Sequence, residues 1–265
     1  EQPFMRKVFE AYGRKAERAG VALVTAMGFD YAPGDMIASL TAALDAVAAD
    51  AGVRVRVLEA EGASVSAGAD LNWMRGMATA TRDENRSDAL ALARLMRTLD
   101  ELSRPTIARV HGAAFGGGVG LIACCDIAIG TPEAKFGLTE SKLGLLPAAI
   151  SPYVIAAIGA RQARRWFASA ERFDSAEAQR IGLLHAVVPG DRLDAAVQHQ
   201  IDLLLKAGPF AASHAKSLVR RVAHDTGRDQ LDRDNADLIA GLRVSPEGQE
   251  GLAAFLEKRK PGWTI

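Results

Sequence analysis

Two apolar segments, VALVTAM (Val21 to Met27) and VRVRVLEA (Val53 to Ala60), enclose MIASLTAALDAVAAD, whose apolar residues recur at helical spacing. Strand, helix and strand in that order make a β-α-β unit, and this commits the chain to the α/β class. A long helical pattern follows from Glu84 to Leu102, and Pro105 closes it before a new strand, TIARV. Beyond lie a helix through Leu121 and Cys125, the strand DIAIG, a short strand over Ala134 to Phe136, and helices over Ala148 to Ile158 and Ala160 to Ala168. From Asp191 the pattern turns almost wholly helical, with segments near 191–206, 209–224, 228–242 and 246–258. Amphipathic helices appended to an α/β body need an apolar surface to cover, so 1–190 read as a core and 191–265 as a cap or oligomer interface.

Residues 111 to 130, HGAAFGGGVGLIACCDIAIG, place Gly116, Gly117 and Gly118 where strand TIARV has ended and a helix begins. Glycine is costly near a helix interior, so bare backbone is needed there for close approach. Free N–H groups and the positive end of a helix dipole favour negative charge at such a turn. The run has neither the Lys-Ser/Thr of a phosphate loop nor the spacing of a dinucleotide site, and taken alone it also fits close helix packing.

A second turn of small residues follows VRVRVLEA in SAGADLNWM, Ser66 to Met74, with Ala67, Gly68 and Ala69 where a strand opens into a helix. If the two turns converge, one N–H from each could hold a single developing oxyanion beside a thioester or ester carbonyl.

The chain has 265 residues, 49% of them hydrophobic, with 32 basic and 32 acidic side chains, and no overall field favours nucleic acid or an anionic membrane. Cys124 and Cys125 are adjacent, too strained for an ordinary disulfide and without the partners of a zinc site. They read as buried thiols of a reducing compartment. The first twenty residues lack the unbroken apolar stretch of a signal peptide, and Ala113 to Cys125 is too short to span a bilayer. The expectation is a cytoplasmic protein without metal.

SAGADLNWM, RPTIARVHGAAFGGGVGLIACCDIAI, AKFGLTESKLGLLPAAISPYV and GLAAFLEKRKPGW resemble, in order and spacing, the successive motifs of the enoyl-CoA hydratase/isomerase (crotonase) superfamily. FGGGVGLIACCDIAI and LPAAISPYV are similar to bacterial hydratases of methylglutaconyl-CoA or isohexenylglutaconyl-CoA. The resemblance implies a spiral of repeated ββα units with a C-terminal helical region, assembled as a homotrimer or dimer of trimers. It implies an acyl-CoA substrate and no separate cofactor, coenzyme A being part of the substrate. The oxyanion-hole N–H groups fall on Ala69 and Gly117, and Glu140, in FGLTE, falls on a general acid/base. Substrate or CoA contacts fall on Ser66, Ala67, Gly68, Asp70, Leu71, Gly116 and Gly120, and on Phe255 and Lys258, in a tail that in the family often reaches a neighbouring subunit.

Two departures stand out. Gly120 occupies the position of the family's first glutamate; an empty position would spare a substrate that carries its own distal carboxylate. AMGFDYAPGDMI replaces an Asn-rich loop, so Asp30, Tyr31 and Asp35 read as loop polar groups. His111 reads as a turn hydrogen bond, Trp73 and Met74 as packing or the rim of the acyl pocket, and Arg161, Arg164 and Arg165 as a solvated helix face. The expected activity is hydration of a 2-enoyl-CoA. The alternatives are a Δ3-Δ2-enoyl-CoA isomerase working with one Glu, and an idle acyl-CoA-binding relative.

Overall fold

The computed structural model of the chain describes residues 21–26, 33–68, 70–224 and 227–264, with the side chains of 21–26, 33–36 and 224 outside the description. Strand β1 (Val21–Ala26), helix α1 (Pro33–Ala49) and strand β2 (Val55–Ala60) form the opening β-α-β unit, and β1 runs parallel to β2 in register Val21 to Val55. From β2 onward strands come in pairs. The first of each pair enters one sheet and the second enters another, and a helix then returns the chain.

The pairs are β2 with β3 (Ser64–Ser66), β4 (Thr106–Val110) with β5 (Ala113–Phe115), and β6 (Ile127–Gly130) with β7 (Lys135–Gly137). Helices α2 (Leu71–Thr79) and α3 (Arg82–Asp100) follow the first pair and α4 (Gly117–Cys124) the second. After the third pair come a 3-10 turn, Thr139–Leu143, and α5 (Ser151–Ser169). Strand β8 (Arg172–Asp174), helix α6 (Ser175–Ile181) and strand β9 (Ala186–Val187) complete the body. The larger sheet has the order β1-β2-β4-β6-β9 and is parallel throughout, whereas the smaller has the order β3-β5-β7-β8 with only β8 antiparallel. This is the expected spiral of ββα units.

A parallel sheet is covered on both faces, so VRVRVLEA is buried on both sides of its alternation. Val55 and Val57 pack with Ile107 and Ile129 beneath Leu193, Val197 and Ile201 of α7 (Leu193–Lys206). On the other face Leu58 and Ala60 join Leu44, Leu95, Met96 and Leu99 of α1 and α3. Arg56 points to that second face and is 2% exposed. Its Nη2 donates to Val47 O at 2.8 Å, placing a cation at the end of α1, whose last turn has no basic residue of its own.

The C-terminal helices observed are α7, α8 (Pro209–His224), α9 (Arg228–Val244) and α10 (Pro246–Leu256). Side chains far apart in sequence fix them. Arg54, just before β2, donates to Trp263 O, Leu205 O and Ala207 O at 2.9, 2.8 and 2.8 Å. Glu247 accepts from Phe210 N at 2.9 Å and Ala211 N at 2.8 Å, capping α8, which has no acid in its first turn. Lys216 of α8 donates to Asp126 Oδ2 at 2.8 Å, and the same oxygen accepts from Thr106 N and Oγ1 at 2.8 Å. The two helices expected over 148–158 and 160–168 meet end to end at Gly159, whose φ of 77° breaks the helical path inside α5.

Candidate active site

Three neighbouring parallel strands of the smaller sheet end side by side. Ser66 of β3 pairs with Ala114 of β5, and Phe115 of β5 with Gly137 of β7. Their exits carry Ala67 and Gly68, Gly116 and Gly117, and, three residues past Gly137, Glu140. The convergence of the two small-residue turns, conditional in the sequence, is therefore present.

Gly118 makes it possible. A β-carbon at Gly118 would lie 2.5 Å from Ser66 Cβ and 3.0 Å from Ser66 Oγ, so α4 rests directly on the end of β3. Ser66 is 1% exposed, and its hydroxyl accepts from Gly68 N at 3.3 Å and donates to Phe115 O at 3.5 Å. Its side chain thus points inward and locks the two turns together. Ala67 and Leu71 face outward, Leu71 at 67% exposure. Asp70 caps α2 by accepting from Trp73 N at 2.7 Å. Ala69, expected to give one oxyanion N–H, lies outside the described residues, as do Asp30 and Tyr31.

Gly116 joins β5 to α4 with φ 52° and ψ −118°, a conformation open to glycine. Its N–H donates to Gly137 O at 3.0 Å, and its C=O accepts from Val119 N and Gly120 N at 3.0 and 3.3 Å. No side chain caps the helix start, so Gly117 N–H stands at the open, positive end of α4. The missing Gly116 side chain also makes room for the acid: a β-carbon there would sit 3.3 Å from Glu140 Oε1.

Glu140 lies in the 3-10 turn, held from both sides. Ser141 Oγ donates to Phe167 O, Leu145 N donates to Glu140 O at 3.1 Å, and Gly144 takes a left-handed φ of 73° to close the turn. Among the described residues Glu140 Oε2 is buried without a hydrogen-bond partner. Burial raises its carboxyl above the ordinary carboxylate value, a backbone hydrogen bond opposing the shift only in part. An acid with a raised folded pKa costs nothing below its unfolded pKa, and it destabilises the fold as pH rises through the folded one. Glu140→Gln is therefore expected to melt higher than the parent protein at neutral pH, and the gap should close as pH falls into the ordinary carboxylate range. Thermal melts across that range check this, and a gap that is constant with pH would contradict it.

Gly120 is buried one turn further along α4, and a β-carbon there would lie 2.4 Å from Ile150 Cγ2 and 3.3 Å from Met96 Cε. Packing gives its emptiness a reason other than the sparing of a substrate charge. Phe255, at 81% exposure, and Lys258, with φ 55°, sit on the C-terminal helical layer and not on the strand ends. His111 Nε2 lies 2.9 Å from Gly62 O, the turn hydrogen bond expected of it. Trp73 Nε1 donates to Asp88 Oδ1 at 3.2 Å. Arg165 stacks over Trp166 at 4.1 Å and pairs with Glu171 at 3.2 Å. Cys124 and Cys125 are free and buried, and burial pushes both thiols well above their ordinary value. Ile150 is the neighbour of Gly120 that sequence reasoning missed, because the two are thirty positions apart.

Paired strands feeding two sheets, with a glycine-opened helix start beside one buried carboxyl, define an α/β enzyme of the crotonase class. The chain belongs to the enoyl-CoA hydratase/isomerase family, whose model matches residues 34–265. It is 43% identical to an enoyl-CoA hydratase from Shewanella pealeana, with a TM-score of 0.84 over 92% of both chains. It is 35% identical to AtuE of Pseudomonas aeruginosa, with a TM-score of 0.86 over 93% of this chain and 96% of that one. The 2,3-dehydroadipyl-CoA hydratase of Escherichia coli is 32% identical over 85% of this chain and 87% of its own length.

Proposed function

We propose that the chain adds water across the double bond of a 2-enoyl-CoA thioester, with Glu140 as its one acid/base and the N–H groups of Ala69 and Gly117 as the oxyanion hole. The buried Oε2 of Glu140, without a partner among the described residues and beside the bare backbone of Gly116, carries this reading. As carboxylate, Glu140 takes a proton from water while the water oxygen bonds to the β-carbon. The displaced electron pair becomes an enolate whose oxygen is met by the two N–H groups. The carboxylic acid then gives its proton to the α-carbon, so one water is added and Glu140 returns to its starting form. Burial favours a group that is neutral in half of this cycle.

The acyl group proposed is of the methylglutaconyl type, with a distal carboxylate; the Escherichia coli relative is named for a thioester of a dicarboxylic acid. Coenzyme A enters as part of the substrate. A second reading, Δ3-Δ2 isomerisation, draws on the same single carboxyl, because moving a proton from the γ- to the α-carbon needs no activated water. Incubating crotonyl-, 3-methylglutaconyl-, isohexenylglutaconyl- and 3-enoyl-CoA in oxygen-18 water decides between them. Label in a 3-hydroxyacyl product is expected, and double-bond migration without label would overturn hydration.

The assembly proposed is a trimer or a dimer of trimers. Leu252 and Phe255 are 51% and 81% exposed in the single chain, as are Val219 at 70% and Val244 at 77%, and a neighbouring copy would cover them. Light scattering should give at least three copies, and a monomer would sink the assembly. The proposed compartment is the cytoplasm, in keeping with two free buried thiols; no helix among the described residues is long and apolar enough to cross a membrane.

A further inference from the structure

Gly120 and Ile150 occupy one volume. A β-carbon on Gly120 would lie 2.4 Å from Ile150 Cγ2, 2.7 Å from Ile150 Cβ and 3.3 Å from Met96 Cε. Met96 meets it with the end of a flexible chain, which can swing aside. Ile150 cannot, because one of its conflicting atoms is its own β-carbon and moves only with the backbone. That backbone is fixed at the start of α5, where Ile150 O accepts from Val154 N at 3.1 Å. Gly120 is fixed as well, its N–H donating to Gly116 O at 3.3 Å. Ile150 is 2% exposed and Met96 0%, so the volume is dry and filled.

We propose that Ile150 is the specificity-determining residue that holds this site to one carboxyl, by filling the volume beside Gly120 in which a second acid would stand. The inference deepens the hydratase reading, and its kinetic half rests on that reading. The side of α4 one turn past Gly116 is hydrocarbon instead of carboxylate. Among the described residues nothing there accepts a proton from water, so both proton transfers fall to Glu140. An acyl group with its own carboxylate also meets no second negative charge from α4.

The test compares the parent protein, Gly120→Glu, Ile150→Gly and the double variant, by thermal melting and by the pH dependence of kcat/KM with crotonyl-CoA. Gly120→Glu alone is expected to melt ~10 °C or more below the parent, as overpacking by a charged side chain should. Ile150→Gly removes both crowding atoms, so the double variant is expected to melt within a few degrees of Ile150→Gly alone. Its pH profile should show a second ionisation absent from the parent and from Ile150→Gly, a change that repacking by itself would not produce. If Ile150→Gly does not fold, Gly120→Ala with and without Ile150→Ala makes the same comparison, and Ile150→Ala should recover part of the melting temperature that Gly120→Ala loses. The proposal is overturned if Gly120→Glu melts like the parent, if shortening Ile150 rescues nothing, or if a folded double variant shows no second ionisation. The melting comparison does not depend on the reaction, so a labelled-water result against hydration would leave it standing and would remove only the kinetic half.

Discussion

Glu140→Gln is expected to lower turnover of crotonyl-CoA about 100-fold or more, with the fold and CoA binding retained. Gln has nearly the same shape, so Gly116 and the 3-10 turn keep their places, but the amide can neither take the proton of water nor return one to the α-carbon. The parent rate should climb with pH through an ionisation above the ordinary carboxylate value, because the working base is the carboxylate and burial raises its pKa. In the Gln variant that climb should vanish with the rate. Steady-state kinetics from acid to neutral pH, beside circular dichroism, check both halves. A Gln variant that retains near-parent turnover would take the acid/base role away from Glu140.

Gly118→Ala is expected to cost almost as much activity without touching a reacting atom. The new methyl would fall 2.5 Å from Ser66 Cβ, well inside the usual carbon–carbon separation of about 3.5–4.0 Å, so β3 and α4 must part by about 1 Å. That displacement spreads the two turns whose N–H groups share one oxygen, and misplacement of this size can cost about 100-fold. Stability should fall by only about 1–3 kcal/mol, the usual range for overpacking. Ser66→Gly removes the opposing carbon along with the hydroxyl that ties the turns, so the rate of the double variant should approach that of Ser66→Gly alone. Full activity in Gly118→Ala would show that the turns do not need this contact. A double variant far slower than Ser66→Gly would place the damage elsewhere.

Periodicity made the long elements legible: α3, TIARV and the four C-terminal helices lie within a few residues of where spacing puts them. Strands β3, β5 and β8 have three residues each and β9 two, too few for an alternation to show. Arg56 misleads for a related reason, because a charge inside an alternating strand reads as a solvated face until the helix end it caps is known. In the site, Glu140 and Gly116 to Gly118 were legible from motif and chemistry. The inward turn of Ser66 and the Gly120–Ile150 pair were not. Each is a contact between residues far apart in sequence, and a glycine announces only that something lies close, never what.

The three carbonyls gathered by Arg54 set an order of events during synthesis. Arg54 leaves the ribosome 209 residues before Trp263, which at roughly 5–20 residues per second is a wait of about 10–40 s. Two of its acceptors, Leu205 O and Ala207 O, are made 151 and 153 residues after it, and until Trp263 follows its Nη1 has water in place of the third. The strands can pair early, but this corner cannot dry until the last turn of the C-terminal layer arrives. Closure of this corner is thus a late event, and a ribosome stalled before Trp263 is expected to display strands already paired with Arg54 Nη1 still hydrated.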